Sequence, residues 1–280
     1  MQFGSFELFI AWDGYFRLDG GAMFGVVPKI LWSRTDPADD RNRILLSINP
    51  LVVKTGNSVF LIDTGIGSEW DDKSRDIFGI DRKSTVTSSL EHKGIGKEDI
   101  TGVIFTHLHF DHSGGAVERN ENGLFQPAFP NAVYYIQRGE WECAVKPNER
   151  TKASYPPENF LPLKKANAVH FLDGDGDIAP GISVLVTGGH TPYHQVVLLR
   201  SDGNIACYCG DLIPTSSHLH LPNIMGYDTN PLDTLEAKRR LITQAINEHW
   251  LVIFAHSPRM KAGYLVERAK KVELEPMELT

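Results

Sequence analysis

The sequence is poor in the features that mark secreted, membrane-bound and disulfide-rich proteins. Its 280 residues include three cysteines, Cys143, Cys207 and Cys209, which form neither a disulfide framework nor a zinc site of their own. The N-terminal residues lack the basic region and long apolar stretch of a signal peptide. No run approaches the roughly 18 apolar residues that span a bilayer. These absences predict a cytoplasmic location and no membrane partner.

The chain also lacks an excess of positive charge. Its formal net charge is −7, and Lys164-Lys165 and Lys270-Lys271 are isolated basic pairs. A nucleic-acid-binding surface needs clustered lysine and arginine side chains to displace counterions from phosphates. We therefore expect a small-molecule substrate and no nucleic-acid partner.

The composition is that of an ordinary globular protein. Hydrophobic residues make up 41% of the chain and charged residues 22%, and no low-complexity tract or short repeat interrupts it. We predict one domain over residues 1–280, in which residues 1–42 form an N-terminal extension. Apolar positions in this extension suggest either a homodimer contact or an element of the substrate pocket.

Short apolar strands alternate with helices along the chain, and several of the strands end at a histidine or an aspartate. These predicted strands are 59–62 before Asp63, 102–105 before a histidine cluster, 182–186 before His190, 204–209 before Asp211 and 251–255 before His256. Residues 231–248 carry the clearest amphipathic helix pattern. The alternation predicts an α/β sheet sandwich flanked by helices. Strand ends at one sheet edge would bring these polar side chains together.

The segment after the predicted strand 102–105 has four metal-ligating side chains within six residues: His107, His109, Asp111 and His112. One cation cannot easily take four donors from so short a loop, whereas two adjacent cations can. Neutral imidazole and carboxylate ligands suit Zn²⁺ best, with Mn²⁺ and Fe²⁺ as alternatives. The cluster therefore predicts a metal site.

His107-x-His109-x-Asp111-His112 resembles the signature of the metallo-β-lactamase superfamily. The rest of that family's pattern follows in order, over roughly residues 43–258. It comprises the aspartate turn at Asp63-Thr64-Gly65, the histidine loop from Gly189 to His194 (with Tyr193 where glycine is usual), the strand end at Gly210-Asp211, and His256. The resemblance implies an αββα sandwich of two mixed β-sheets flanked by helices.

The resemblance also implies two divalent metal ions, most simply Zn²⁺. The ligands of the first would be His107, His109 and His190, those of the second Asp111, His112 and His256, and Asp211 would bridge both together with a hydroxide. Asp63 and His194 would support the ligands through hydrogen bonds. Asp111 and Asp211 would be the catalytic carboxylates, because either can accept a proton during hydrolysis.

A family resemblance of this kind implies a metal-dependent hydrolase. Asp211 is similar to the bridging aspartate of the quorum-quenching lactonase and organophosphate hydrolase branch, and true β-lactamases usually lack it. We therefore expect hydrolysis of a lactone or ester, or of a phosphotriester. A glyoxalase II-like thioesterase and a β-lactamase-type amide hydrolase stay open as alternatives, as does a non-catalytic metal-binding protein.

Candidate substrate contacts are fewer. Residues 19–25 form a glycine-rich segment that we interpret as a loop, either a plain turn or a pocket wall that includes Phe24. Tyr193, beside His190, is a candidate hydrogen-bond donor to a substrate carbonyl. His218 and His220 follow the strand that ends at Asp211, and they would either line the site or have a capping or surface role.

Overall fold

The computed structural model describes residues 1–279. Its strands, in chain order, are β1 (Gln2–Phe3), β2 (Phe6–Ile10), β3 (Tyr15–Asp19), β4 (Arg43–Ser47), β5 (Leu51–Thr55), β6 (Ser58–Ile62), β7 (Gly102–Ile104), β8 (Val117–Arg119), β9 (Phe125–Pro127), β10 (Val133–Gln137), β11 (Val169–Leu172), β12 (Gly176–Ala179), β13 (Ile182–Val186), β14 (Gln195–Ser201), β15 (Asn204–Tyr208), β16 (Leu251–Ile253), β17 (Ala262–Arg268) and β18 (Lys271–Met277).

The helices are mostly short and lie between the strands. They are α1 (Gly20–Phe24), α2 (Lys29–Trp32), α3 (Asp72–Phe78), α4 (Val86–Glu91), α5 (Phe110–Ser113), α6 (Arg138–Val145), α7 (Leu161–Lys165) and α8 (Pro231–Asn247). The predicted amphipathic helix is confirmed as α8, which begins at a proline, a residue favoured in the first helical turn. Among residues 1–279, no helix combines the length and apolar character needed to cross a bilayer.

Two mixed sheets of seven strands each dominate residues 1–279. The first has the order β1-β2-β5-β6-β7-β10-β11 and the second the order β12-β13-β14-β15-β16-β17-β18. In the first sheet β6, β7, β10 and β11 run parallel, and in the second β15 and β16 run parallel. Parallel neighbours end at the same sheet edge, so the residues that follow β6 and β7 lie together, as do those that follow β15 and β16.

Three apolar layers show the order of helices and sheets. A cluster that includes Leu8, Val53, Val197 and Ile253 fills the space between the two sheets. A second cluster packs the outer face of the first sheet against α4, α6 and α7, and a third packs the second sheet against α8. The predicted αββα sandwich of mixed sheets is therefore confirmed. Cys207 and Cys209 are buried in the third cluster.

The N-terminal extension differs from the prediction at residues 19–25, because the glycine-rich segment forms helix α1 instead of a loop. The Asp19 side chain caps this helix by accepting a hydrogen bond from the Ala22 backbone N–H at 2.8 Å. Gly20 is required by packing, since a Cβ there would lie 2.3 Å from the Trp32 ring. The glycine that suggested a turn is thus a close-packing position.

Candidate metal centre

The topology brings five strand ends to one edge. Asp63 follows β6 and the histidine cluster follows β7, while Asp211 and His256 follow β15 and β16. Strand β13 is antiparallel to β14, which is antiparallel to β15, so the His190 loop after β13 reaches the same edge as Asp211. All seven predicted ligands are buried and lie together there: His107, His109, Asp111, His112, His190, Asp211 and His256.

The first group of ligating atoms belongs to His107, His109 and His190. These atoms lie within 4.8 Å of one another. The Nε2 atom of His190 is 3.0 Å from Nδ1 of His109. His107 and His109 come from the loop after β7 and His190 from the loop after β13, so one strand end of each sheet contributes.

The second group consists of Asp111, His112 and His256, with ligating atoms again within 4.8 Å of one another. Helix α5 begins at Phe110 and carries Asp111 and His112, and His112 also forms a group with His107 and Asp211. The Nε2 atom of His256 is 3.0 Å from Nε2 of His112 and 3.4 Å from Oδ2 of Asp111. The two groups have the same members as the two ligand sets that the family resemblance implies, and metal binding by them stays a prediction.

Asp211 lies between the two groups, with one carboxylate oxygen toward each. Its Oδ2 atom is 3.2 Å from Nε2 of His190. Its Oδ1 atom is 3.3 Å from Nε2 of His112 and 3.2 Å from Nε2 of His256. This placement is what a carboxylate needs to contact two neighbouring cations.

The ring hydrogen bonds of His112 and His256 test whether a cation fits. The Nδ1 atom of His112 donates to Oδ2 of Asp63 at 2.8 Å, and Nδ1 of His256 donates to the Ser47 carbonyl at 3.0 Å. With Nδ1 engaged in this way, the Nε2 atom of each ring is the one available to a ligand, and the two Nε2 atoms lie 3.0 Å apart. Two imidazole nitrogens this close, next to carboxylates, are an arrangement that fits a shared cation.

Two orphaned atoms support the same fit. Nε2 of His107 and Oδ1 of Asp211 are buried and have no hydrogen-bond partner among residues 1–279. Buried polar atoms without partners are costly, and an ion is a common explanation. The donors are imidazole nitrogen and carboxylate oxygen, which suit divalent cations such as Zn²⁺.

Burial and neighbouring charges set the protonation of the ligands. Burial lowers the pKa of His107 and His109 well below the usual value, and nearby histidine charges lower it further, so both rings present lone pairs at neutral pH. Burial also opposes charging of His112, but the carboxylates of Asp211, Asp63 and Asp111 raise its pKa well above the usual value. Burial opposes ionisation of Asp211 too, yet His112, His256 and His190 hold its pKa well below its usual range.

Asp63 hydrogen-bonds with the candidate ligand His112 and with Thr106. Its Oδ1 accepts a hydrogen bond from the Thr106 backbone N–H at 2.8 Å, and its Oδ2 accepts from Thr106 Oγ1 at 2.9 Å as well as from His112. Asp63 has a φ of 58°, in the left-handed region that aspartate tolerates better than most residues. This backbone turn directs its carboxylate to both the start of the histidine loop and a candidate ligand.

His194 acts on the backbone of Asp211. Its Nδ1 hydrogen-bonds with Thr187 Oγ1 at 2.7 Å, and its Nε2 accepts from the Asp211 N–H at 3.0 Å. Gly210 makes room for this contact, because it has a φ of 50° and a Cβ there would lie 2.7 Å from His194 Nε2. The histidine therefore fixes the strand end that carries Asp211.

Sequence reasoning missed Asp228. This buried residue accepts a hydrogen bond from Nδ1 of His190 at 2.8 Å through Oδ1, and from Thr234 Oγ1 at 2.7 Å through Oδ2. It supports His190 as Asp63 supports His112. The signal available in the sequence, an isolated aspartate in a polar loop, does not distinguish it from a surface residue.

Glu140 is the second residue that was missed. Its buried Oε1 accepts from the Leu108 backbone N–H at 3.1 Å and from Tyr155 Oη at 2.9 Å, and its Oε2 accepts from Thr191 Oγ1 at 2.6 Å. Burial raises the pKa of this carboxyl. Leu108 stands between His107 and His109, and Thr191 follows His190, so Glu140 ties together the two loops of the first group.

The four residues predicted to contact substrate differ in burial. Phe24 is buried and stacks on His218, with ring centroids 4.7 Å apart. Both ring nitrogens of His218 are engaged inside the protein, with Thr215 Oγ1 and the Met23 carbonyl. Tyr193 is 43% exposed, and His220 is exposed at a separate cleft. A substrate contact by these residues stays a prediction, and His218 has the least freedom to make one.

Tyr227 is a further hydroxyl near the centre that the sequence did not single out. Burial, together with the negative charges of Asp19 and Asp111, raises the pKa of Tyr227 to about 12. Its loop is anchored by hydrogen bonds from the Gly226 N–H to Ala22 and from the Thr229 N–H to His190. The phenol thus stays protonated at neutral pH, beside the residue that holds His190.

Comparisons with known proteins agree with this geometry. Residues 43–256 match the family model of the metallo-beta-lactamase superfamily. An N-acyl homoserine lactonase from Bacillus cereus is 29% identical over 181 residues, an alignment that covers 64% of this chain and 64% of that relative.

Solved structures show the same fold. A probable metal-dependent hydrolase from Staphylococcus aureus has a TM-score of 0.92 and 30% identity, over 100% of this chain and 99% of that one. A dizinc quorum-quenching lactonase, AidC, has a TM-score of 0.82 and 23% identity, over 100% and 97% of the two chains.

Proposed function

The chain belongs to the metallo-beta-lactamase superfamily, and we propose that it is a dinuclear metal-dependent hydrolase that opens a lactone or cleaves an ester. The observation that carries the proposal is the position of Asp211, with one oxygen toward each of two three-residue ligand groups. The proposed first cation would be held by His107, His109 and His190, and the second by the group that contains Asp111, His112 and His256.

In this proposal, some side chains orient the ligand histidines and others accept protons. Two bound Zn²⁺ ions would lower the pKa of a shared water and polarise the substrate carbonyl. Asp63 and Asp228 keep the Nδ1 proton of His112 and His190 away from the centre, so that each ring offers Nε2. Asp111 and Asp211 are the proposed proton acceptors, because both carboxylates border the same space beside Nε2 of His256.

The choice of a lactone or ester rests on the curated relatives, which are N-acyl homoserine lactonases. The alignment with the Bacillus cereus relative covers 64% of either chain, which is less than two thirds, so the substrate of these relatives is an expectation for this protein. Phosphotriesters, thioesters and β-lactam amides are the other carbonyl or phosphoryl electrophiles that the same centre would face.

A substrate panel on metal-loaded protein tests this function. Zinc- and manganese-loaded samples would be assayed with an acyl lactone, an aryl ester, a thioester, a β-lactam and a phosphotriester. We expect the highest kcat/KM for the lactone or the ester, and loss of turnover after chelation that returns with added metal. Equal turnover by metal-free and metal-loaded protein, or preference for the thioester or β-lactam, would refute the proposal.

A matched pair of variants separates chemistry from folding. Asp211→Asn removes the charge between the ligand groups and should lower kcat by orders of magnitude. Asp202→Asn is the control, because Asp202 is an exposed residue in the turn between β14 and β15 and its φ of 49° suits asparagine. Both variants should have wild-type circular dichroism. A fully active Asp211→Asn enzyme would contradict the assignment, as would a metal-loaded wild type that hydrolyses no panel member.

A further inference from the structure

A large cleft lies apart from the metal centre, behind the ribbon formed by β3 and β4. It has a volume of about 1170 Å³, and none of the seven candidate ligands lines it. Phe16 on β3 faces the centre, with its ring 5.3 Å from that of His256. Arg17 and its strand partner Leu45 face the other way and line the cleft. Because side chains alternate along a strand, the ribbon separates the two spaces.

Arginine supplies the positive charge in the lining of this cleft, whose other polar residues include Thr35, Ser216, Ser217, His220, Asn223 and Ser257. Arg17, Arg34 and Arg259 line it, and among residues 1–279 no carboxylate oxygen lies within 4.0 Å of their side-chain nitrogens. Asp36 is also in the lining, but its carboxylate accepts a hydrogen bond from Thr35 Oγ1 at 2.6 Å. Three arginines and one aspartate are thus the charged residues of the lining, so the cleft has an excess of positive charge in a chain whose net charge is −7.

Part of the lining is apolar. Val26, Leu31 and Met260 are largely exposed hydrophobic side chains at this cleft, with fractional exposures of 92%, 51% and 40%. Trp32 also lines the cleft, and its ring stacks on that of Phe24, with 5.5 Å between the centroids. An apolar wall beside cationic groups is suited to a ligand with an apolar tail and an anionic head.

We propose that this cleft is a second ligand site that binds an amphiphilic anion, with a carboxylate or phosphate head on the arginines and an apolar tail along Val26, Leu31 and Met260. Guanidinium groups bind both kinds of head through paired, charge-assisted hydrogen bonds. A volume of this size accommodates a drug-sized molecule. The site is independent of the proposed hydrolysis and of the metal ions.

Calorimetric titration of metal-loaded protein tests the proposal with four probes. Decanoate and decyl phosphate carry the two heads, decanol has the tail alone, and acetate has a head alone. We expect at least one of the two anions, decanoate or decyl phosphate, to bind with a stoichiometry of one per chain. Its affinity should be at least about 10-fold higher than that of decanol or acetate. The anion that binds more tightly shows whether the natural ligand carries a carboxylate or a phosphate head.

Variants locate the binding. Arg17→Gln, Arg34→Gln and Arg259→Gln should each weaken it about 10-fold or more, as loss of a charge-assisted hydrogen bond implies. Arg240→Gln is the control, since Arg240 is exposed on α8 outside the cleft lining. Asp211→Asn should bind the anion as the wild type does, which separates this site from product binding at the metal centre.

Several results would overturn the proposal. They are equal binding of decanol, no binding of either anion, affinity unchanged in all three cleft variants, or loss of binding in Asp211→Asn. Light scattering that shows a dimer together with failure of both anions to bind would assign the cleft to a subunit contact instead. Folding of each variant is checked by its melting temperature, and Arg259 and Arg34 are exposed enough to change without disturbing the core.

Discussion

Replacing Asp228 with asparagine should weaken the binding of one cation and leave the other nearly unchanged. Asp228 accepts from His190 through one oxygen and from Thr234 through the other, at 2.8 and 2.7 Å. Asparagine has the same shape, so its carbonyl can still accept from His190 while its amide donates to the Thr234 hydroxyl. The substitution therefore keeps the geometry and removes the negative charge that makes the imidazole a better ligand.

The expected magnitude follows from the single hydrogen bond that is changed. Loss of such a supporting carboxylate typically lowers metal affinity about 10- to 100-fold, or about 1.4–2.8 kcal/mol. His190 belongs to the group with His107 and His109, so the effect should fall on that cation. Asp63→Asn should have the reverse selectivity, because Asp63 supports His112 in the other group.

Competition with a fluorescent zinc chelator, which resolves tight and weak sites, measures both affinities. Asp233→Asn is the matched control, since Asp233 is an exposed residue near Asp228 in the first turn of α8. The reasoning is refuted if Asp228→Asn binds zinc as Asp233→Asn does. It is refuted equally if Asp228→Asn and Asp63→Asn weaken the same site.

Three further predictions concern backbone, ligand loops and pH. Gly210→Ala should lower the free energy of unfolding, measured in urea, by about 1–2 kcal/mol more than Gly56→Ala does. Both glycines have φ near 50°, but of the two only Gly210 has other atoms where a Cβ would lie. Equal losses in the two variants would contradict this. Glu140→Gln should lower zinc affinity with little change in the melting temperature of the metal-free protein, because one of the two accepting oxygens of the side chain becomes an NH₂ donor. An unchanged zinc titration would show that Glu140 does not position the His107–His109 and His190 loops. Burial lowers the pKa of Lys238 to about 7 in the fold, so the unfolded chain binds the additional proton between pH 7 and 10. Wild-type stability should therefore rise with pH, relative to Lys238→Met, by up to about 1.4 kcal/mol per pH unit from pH 7 to 9, and a flat difference would show that the lysine stays charged.

The sequence predicted the members of the site best where they lie close together in the chain or directly follow an apolar strand. His107, His109, Asp111 and His112 follow one strand within six residues, so a single pattern identifies four members of the cluster. Asp211 and His256 were found because each ends an apolar strand, and parallel pairing of β15 with β16 brings those ends together. Helix α8 followed from apolar periodicity, whereas the sandwich followed from the alternation of strands and helices together with the family resemblance.

Other parts of the centre depend on contacts that no local pattern encodes. Asp228 lies 38 residues after His190, in a loop whose path is set by hydrogen bonds to backbone groups of α1 and the His190 loop. Glu140 is buried on α6, where it accepts hydrogen bonds from Leu108 and Thr191 in the two ligand loops and from Tyr155. The glycines of residues 19–25 suggested a turn, yet Gly20 serves the packing of Trp32, which lies 12 residues away in sequence. The extension of residues 1–42 as a dimer contact stays a prediction.

Anomalous diffraction at the zinc absorption edge, from crystals of zinc-loaded protein, tests the central assignment most directly. We predict two peaks per chain, one among His107, His109 and His190 and one among Asp111, His112 and His256, with a separate Asp211 oxygen bound to each. A single peak, or two peaks that do not share Asp211, would contradict it.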